Sequence, residues 1–158
     1  MNIKAIIFDW GGVLAGAETK QIYPESEEVL SYCSKKYRLA LACIASKFEE
    51  RKQQIQNSRL GGFFETIKVA PMLVEQISDP AFLGKDDLYN KIVEELNLPQ
   101  EEILIIDDRV VRGIRYANQH RHPSIWVQRG KFAHELPNDQ TGQPTYTVKS
   151  LLEIMKII

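Results

Sequence analysis

The sequence predicts a doubly wound α/β fold, Rossmann-like, with one parallel sheet and helices on both faces. Three observations point there. Short apolar runs alternate with longer amphipathic stretches, the signature of strand–helix–strand units joined by right-handed crossovers. The runs are continuously apolar, as in strands covered on both faces. Acidic residues fall just past the ends of two of these runs, where parallel sheets place their sites.

Taken in order, Ile3 to Phe8 is an apolar, β-branched run that stops at Asp9 and the pair Gly11–Gly12, a central strand entering a tight loop. Residues 15–24 are small or polar and read as loop. Glu25 to Tyr37 carries Val29, Leu30 and Cys33 on one stripe, which predicts a helix. Leu39 to Ala45 is a second buried strand. Lys47 to Arg59 is a charged helix with Phe48 and Ile55 facing in, stopped by Gly61–Gly62. Thr66 to Ala70 is a third strand. Asp86 to Leu96 is a helix, with Leu88, Ile92, Val93 and Leu96 on one face. Ile103 to Ile106 is a fourth strand, running into Asp107–Asp108. Residues 110–120 read as helix, Ile125 to Gln128 as strand, and Val148 to Ile157 as helix.

The chain has 158 residues, enough for one sizeable core, and a single domain over residues 1–158 is expected. A net charge of −1 gives no bulk attraction to nucleic acid or anionic membranes. No apolar run reaches the roughly 18–20 residues that span a bilayer. The N-terminal run is too short for a signal-peptide core, so a cytoplasmic location is expected. Cys33 and Cys43 suit that compartment as reduced, buried thiols; a disulfide would need their Cβ atoms to approach, which spacing alone does not show.

The strand ends assemble an inventory: Asp9 after the first strand, Ser46 after the second, Asp107 and Asp108 after the fourth, and Lys85 opening the helix before that strand. Facing carboxylates repel unless a cation lies between them, and hard oxygen ligands beside a phosphate suit Mg²⁺. A carboxylate can then attack phosphorus while a hydroxyl and an ammonium hold the phosphoryl oxygens. The inventory therefore points to phosphoryl transfer.

These residues carry a resemblance. The segment IIFDWGGVL resembles the first motif of the haloacid dehalogenase superfamily, an apolar strand ending in D-x-D-G-(T/V). Ser46 is similar to the second-motif Ser/Thr, Lys85 in Gly-Lys-Asp-Asp-Leu-Tyr to the third-motif lysine, and ILIIDD to the fourth motif. SIWVQRGKFA looks like the strand and loop that follow. The resemblance implies a Mg²⁺-dependent phosphatase with Asp9 as nucleophile and metal ligand. It implies the Gly11 carbonyl and Asp108 as further ligands, with Asp107 close by, and Ser46 and Lys85 as phosphate-binding residues.

The sequence also departs from the family pattern. The second aspartate of the first motif, the family's general acid, is Gly11. The acid often found four or five residues beyond the fourth-motif aspartate meets Arg112 or Gly113, and the segment around Lys85 is shorter than K-P-x-P-x-x-Y. Without a positioned acid, substrates with good leaving groups, such as aryl or acyl phosphates, are expected, and Glu18, Lys20 and Tyr23 are the candidate substitute donors. The rival expectation is a catalytically impaired protein that binds a phosphorylated ligand or a protein partner through the same cleft. Metal-free dehalogenation fits poorly, because Asp107 and Asp108 would be unneeded repelling charge. The intervals from Asp9 to Ser46 and from Ser46 to Lys85 leave no room for a cap domain. An uncapped cleft favours a large phosphorylated substrate, or shielding by neighbouring subunits in a homo-oligomer. His120 and His122 lack a completing ligand set and read as structural. Trp10 is either core or a wall of the cleft.

Overall fold

A computed structural model describes residues 1–72 and 85–158. Six strands form one sheet: β1 (Ala5–Phe8), β2 (Arg38–Ala45), β3 (Thr66–Pro71), β4 (Ile103–Asp107), β5 (Ser124–Val127) and β6 (Tyr146–Val148), in the order β3-β2-β1-β4-β5-β6. Every pairing is parallel, with Ala5 opposite both Arg38 and Ile103. The described helices are α1 (Ser26–Ser34), α2 (Phe48–Asn57), α3 (Asp86–Leu96) and α4 (Arg115–His120).

Alternation along β1 splits the core in two. Ile6 and Phe8 face one side with Val29, Leu30, Cys33, Ile55 and Leu151, while Ala5 and Ile7 face the other with Leu88, Tyr89, Ile92 and Tyr116. Both faces of the central strands are thus covered, which is why their sequences are apolar throughout. Chain order reverses beside β1: β2 and β3 go to one side, β4 to β6 to the other. The carboxyl ends of β1 and β4 border that reversal, the crevice where open parallel sheets bind ligands.

Two expectations change at the C-terminal end. The region expected as one helix from Val148 holds instead the end of β6 and a 3₁₀ turn, Leu151–Lys156. Ser150 caps that turn in a reciprocal capping box with Glu153. Residues 110–120 divide into a π-helical turn, Val110–Ile114, and the short α4. The stretch read as loop is a compact flap, with bridges pairing Gly11 with Ala15 and Ala15 with Ile22. The irregular end of the Ser46–Lys85 interval, residues 73–84, lies outside the described residues, and with it part of the basis for expecting no cap.

Candidate active site

β1 delivers Asp9 and β4 delivers Asp107 and Asp108 to one point, because the two strands are neighbours and end in register. The Asp9 N–H donates to the Ile106 carbonyl at 2.9 Å, carrying the pairing one residue past β1. The three carboxylates are all buried and offer oxygen atoms within 4.8 Å of one another. Lys85, 2% exposed, reaches between them: its Nζ lies 2.6 Å from Asp9 Oδ1 and 2.7 Å from Asp107 Oδ2. Tyr89 sits one helical turn further along α3 and donates its hydroxyl to the same Asp107 oxygen at 2.6 Å. The shortened Lys–Tyr spacing therefore still brings both residues to the site.

The three acids occupy different electrostatic positions. Burial pushes the Asp107 carboxyl up, but the Lys85 charge and the donors Lys85, Tyr89 and the Arg109 N–H outweigh it, holding the group below the usual range. Burial raises Asp9, with Lys85 opposing and Asp107 reinforcing the rise. Asp108 is raised furthest, by burial first and then by the charges of Asp9 and Asp107. Its Oδ2 is buried and accepts no hydrogen bond. Three carboxylates against one ammonium leave a formal charge of −2 in a buried pocket, the condition a divalent cation relieves. The residues present thus fit a hard dication held by oxygen ligands. The Gly11–Ala15 bridge runs through the Trp10 carbonyl and the Gly12 N–H, so it does not engage the Gly11 carbonyl.

Two glycines make this approach of acids feasible. Gly12 has φ of +80°, and a Cβ there would lie 2.0 Å from Asp108 Oδ2. A Cβ on Gly113 would lie 2.4 Å from Asp107 Oδ2, so Asp107 fills the space where a side chain at that later motif position would stand. Gly11 is different: a Cβ there meets nothing closer than Arg51 Nη1 at 3.7 Å.

A cleft of about 680 Å³ opens above the acids. Ser46, exposed at the end of β2, lines it together with Asp9, Gly11, Lys85, Asp107 and Asp108, so all six residues singled out in the sequence meet in one place. Glu18 and Lys20 also line it, paired with Lys131 at 3.7 Å and Glu50 at 3.5 Å respectively. Tyr23 does not; its ring lies under the Arg129 guanidinium, 3.7 Å away. Trp10 is fully buried core rather than a cleft wall. His120 stacks on Tyr116, and His122 Nδ1 lies 2.8 Å from the Gln100 carbonyl, both structural roles.

Sequence reading missed Arg129. It follows β5 and reaches back to the flap, donating to the carbonyls of Gly12 (3.2 Å) and Val13 (2.6 Å) and pairing with Glu25 at 2.5 Å. Arg109 was missed as well; it pairs with Glu135 at 2.8 Å and lies over Phe132, closing the loop after β5 against the end of β4.

The fold and site define the class of doubly wound α/β proteins with a buried acidic crevice at the β1–β4 reversal. Within that class the assignment is specific: a model of the haloacid dehalogenase-like hydrolases matches residues 4–121, and the chain belongs to that family. No curated protein is detectably similar to it in sequence. Among solved structures it resembles the haloacid dehalogenase-like hydrolase SP0104 from Streptococcus pneumoniae, with 17% identity and a TM-score of 0.73 over 99% of this chain and 98% of that one. It also resembles D,D-heptose 1,7-bisphosphate phosphatase from B. bronchiseptica, complexed with magnesium and phosphate, with 15% identity and a TM-score of 0.74 over 98% and 97%. The magnesium-bound HAD-hydrolase YfnB from Bacillus subtilis aligns at 20% identity and a TM-score of 0.67, over 87% of this chain but only 56% of its own length. At these identities the likeness is one of fold.

Proposed function

We propose that the chain is a Mg²⁺-dependent phosphohydrolase that forms an aspartyl-phosphate on Asp9. One observation carries this: Asp9 sits at a buried cluster of three carboxylates and one ammonium, in which Asp108 Oδ2 has no donor. Asp9, Asp108 and the Gly11 carbonyl would hold the cation, whose charge lets an anionic nucleophile and an anionic phosphate approach. Asp107, which already accepts from Lys85, Tyr89 and the Arg109 N–H, orients Lys85 and Tyr89. Two of the Lys85 protons point to carboxylates, leaving the third for a phosphoryl oxygen. The Ser46 hydroxyl at the cleft edge supplies a further donor. Asp9 attacks phosphorus, the ester oxygen leaves, and water hydrolyses the intermediate. The family membership and the phosphatases among the structural relatives support the same chemistry.

The missing acid at Gly11 restricts the reaction to good leaving groups, aryl or acyl phosphates. The cleft suits a large phosphorylated substrate or cover from a neighbouring subunit. Among the described residues no helix is long and apolar enough to cross a membrane, and both cysteines are free and buried, in keeping with a cytoplasmic protein. The test is hydrolysis of p-nitrophenyl phosphate with and without Mg²⁺ by wild type and Asp9→Asn. Magnesium-dependent turnover lost in the variant is expected. A folded wild type that binds Mg²⁺ and turns over no phosphate ester would instead mark a binder of phosphorylated ligands or protein partners.

A further inference from the structure

The space beside Gly11 is bordered by a cation. Arg51, the fourth residue of α2, places Nη1 3.7 Å from the position a Gly11 Cβ would take. That is the side of the crevice from which the family's acid would serve the leaving group. Arg51 is half-buried, lines the cleft with Asp9 and Asp108, and donates to the Cys43 sulfur at 3.4 Å. Among the described residues it has no carboxylate partner; its neighbour Glu50 is taken by Lys47 at 3.2 Å and Lys20 at 3.5 Å. Of the other cations lining the cleft, Arg109 and Lys131 pair with acids, and Arg112 lies close enough to Arg109, Asp107 and Asp9 to feel their charges; Arg51 is the one that borders the Gly11 Cβ position. A guanidinium held at a buried acidic site with donors to spare is suited to an incoming anion.

We propose that Arg51 serves the leaving group in place of the absent acid, donating hydrogen bonds to the departing oxygen and holding it as an anion. This rests on the phosphohydrolase reading. The Asp9 oxygen bonds to phosphorus as the phosphorus–ester oxygen bond breaks. The bonding pair stays on the leaving oxygen, which the guanidinium stabilises without giving up its own proton. The product oxyanion takes a proton from water after it departs. Arginine cannot act as a general acid near neutral pH, so this device lowers the barrier by charge and not by proton transfer.

The experiment compares wild type, Arg51→Lys and Arg51→Gln on aryl phosphates graded in leaving-group acidity, plotting kcat/KM against that acidity. Arg51→Gln should lose about 10- to 100-fold on phenyl phosphate but under about threefold on the more acidic p-nitrophenyl ester, steepening the plot, with Arg51→Lys between. Parallel plots would overturn the proposal. A second readout needs no turnover: p-nitrophenol is titrated spectrophotometrically with the protein, Mg²⁺ and inorganic phosphate. Wild type should ionise the bound phenol at lower pH than free phenol, and Arg51→Gln should not. That shift in a wild type that hydrolyses no phosphate ester would retire the phosphohydrolase reading and overturn the leaving-group role with it, leaving Arg51 as an oxyanion-binding residue of a ligand site. Equal titrations in wild type and variant would overturn the proposal.

Discussion

Replacing Asp108 by Asn should make the metal-free protein more stable while abolishing its response to Mg²⁺. The oxygens of Asp108 lie within 4.8 Å of those of Asp9 and Asp107, and at an effective dielectric of ~20 each such repulsion is about 3 kcal/mol. The attraction of Lys85, which touches both of the other acids, offsets roughly one of the two. About 3 kcal/mol remains, less roughly 1 kcal/mol for a buried amide with imperfect partners. The net gain of about 2 kcal/mol corresponds to a melting temperature higher by about 4–8 °C. The sign agrees with the direction of the Asp108 shift: its carboxyl is raised, so its ionisation above the ordinary range costs stability in the folded state. The assay is thermal unfolding in chelator and again with saturating MgCl₂. Wild type should gain about 2.7 kcal/mol at a hundredfold excess over Kd, and the variant nothing. A variant that melts below wild type in chelator, or gains as much from Mg²⁺, would refute the reasoning.

Other outcomes follow from the same geometry. Gly11→Asp should fold normally, since its Cβ has ordinary contacts, yet do little for alkyl phosphates, because Arg51 alongside holds the new carboxylate ionised. The double variant with Arg51→Gln should gain about 10²-fold on them over Arg51→Gln alone, measured as kcat/KM. Arg129→Ala should cost about 2–4 kcal/mol in urea unfolding and lower kcat, as the flap loses two carbonyl contacts and the Glu25 pair; an unchanged midpoint would contradict this. Burial lowers His122, so the unfolded chain binds more protons and stability rises with pH. That contribution is complete above pH about 6.5 and is lost as pH falls below it; His122→Gln should flatten the slope of urea midpoints there.

The central strands and the acids were legible in the sequence because a parallel strand buried on both faces is a continuous apolar run whose end is easily found. β1 and β4 stop where charge begins, and so Asp9 and Asp107–Asp108 could be placed. β6 was not legible: three residues, Tyr146 to Val148, with two of them exposed at the sheet edge, carry almost no periodic signal. The helix expected from Val148 overlapped the last strand residue, and the Ser-x-x-Glu at Ser150, which caps the following turn, was not read as its start. Arg51 read as one more charge on a solvated helix, and Arg129 as loop. Their roles arise from reach across the fold, over an interval of more than a hundred residues for Arg129 and Val13, which no local pattern encodes. Tyr89 was half visible, since its one-turn spacing from Lys85 put both on the same helix face.

Gly12 and Gly113 carry no chemistry, yet each forms a wall of the socket in which an acid sits. In a saturation scan scored by activity, these two positions should therefore be as intolerant as Asp108 and Asp107 themselves, with alanine already excluded at both. Gly11, between nucleophile and socket, should accept small side chains. The first loop would then show a permissive glycine next to a forbidden one, a contrast set by which of them has an acid pressed against its α-carbon.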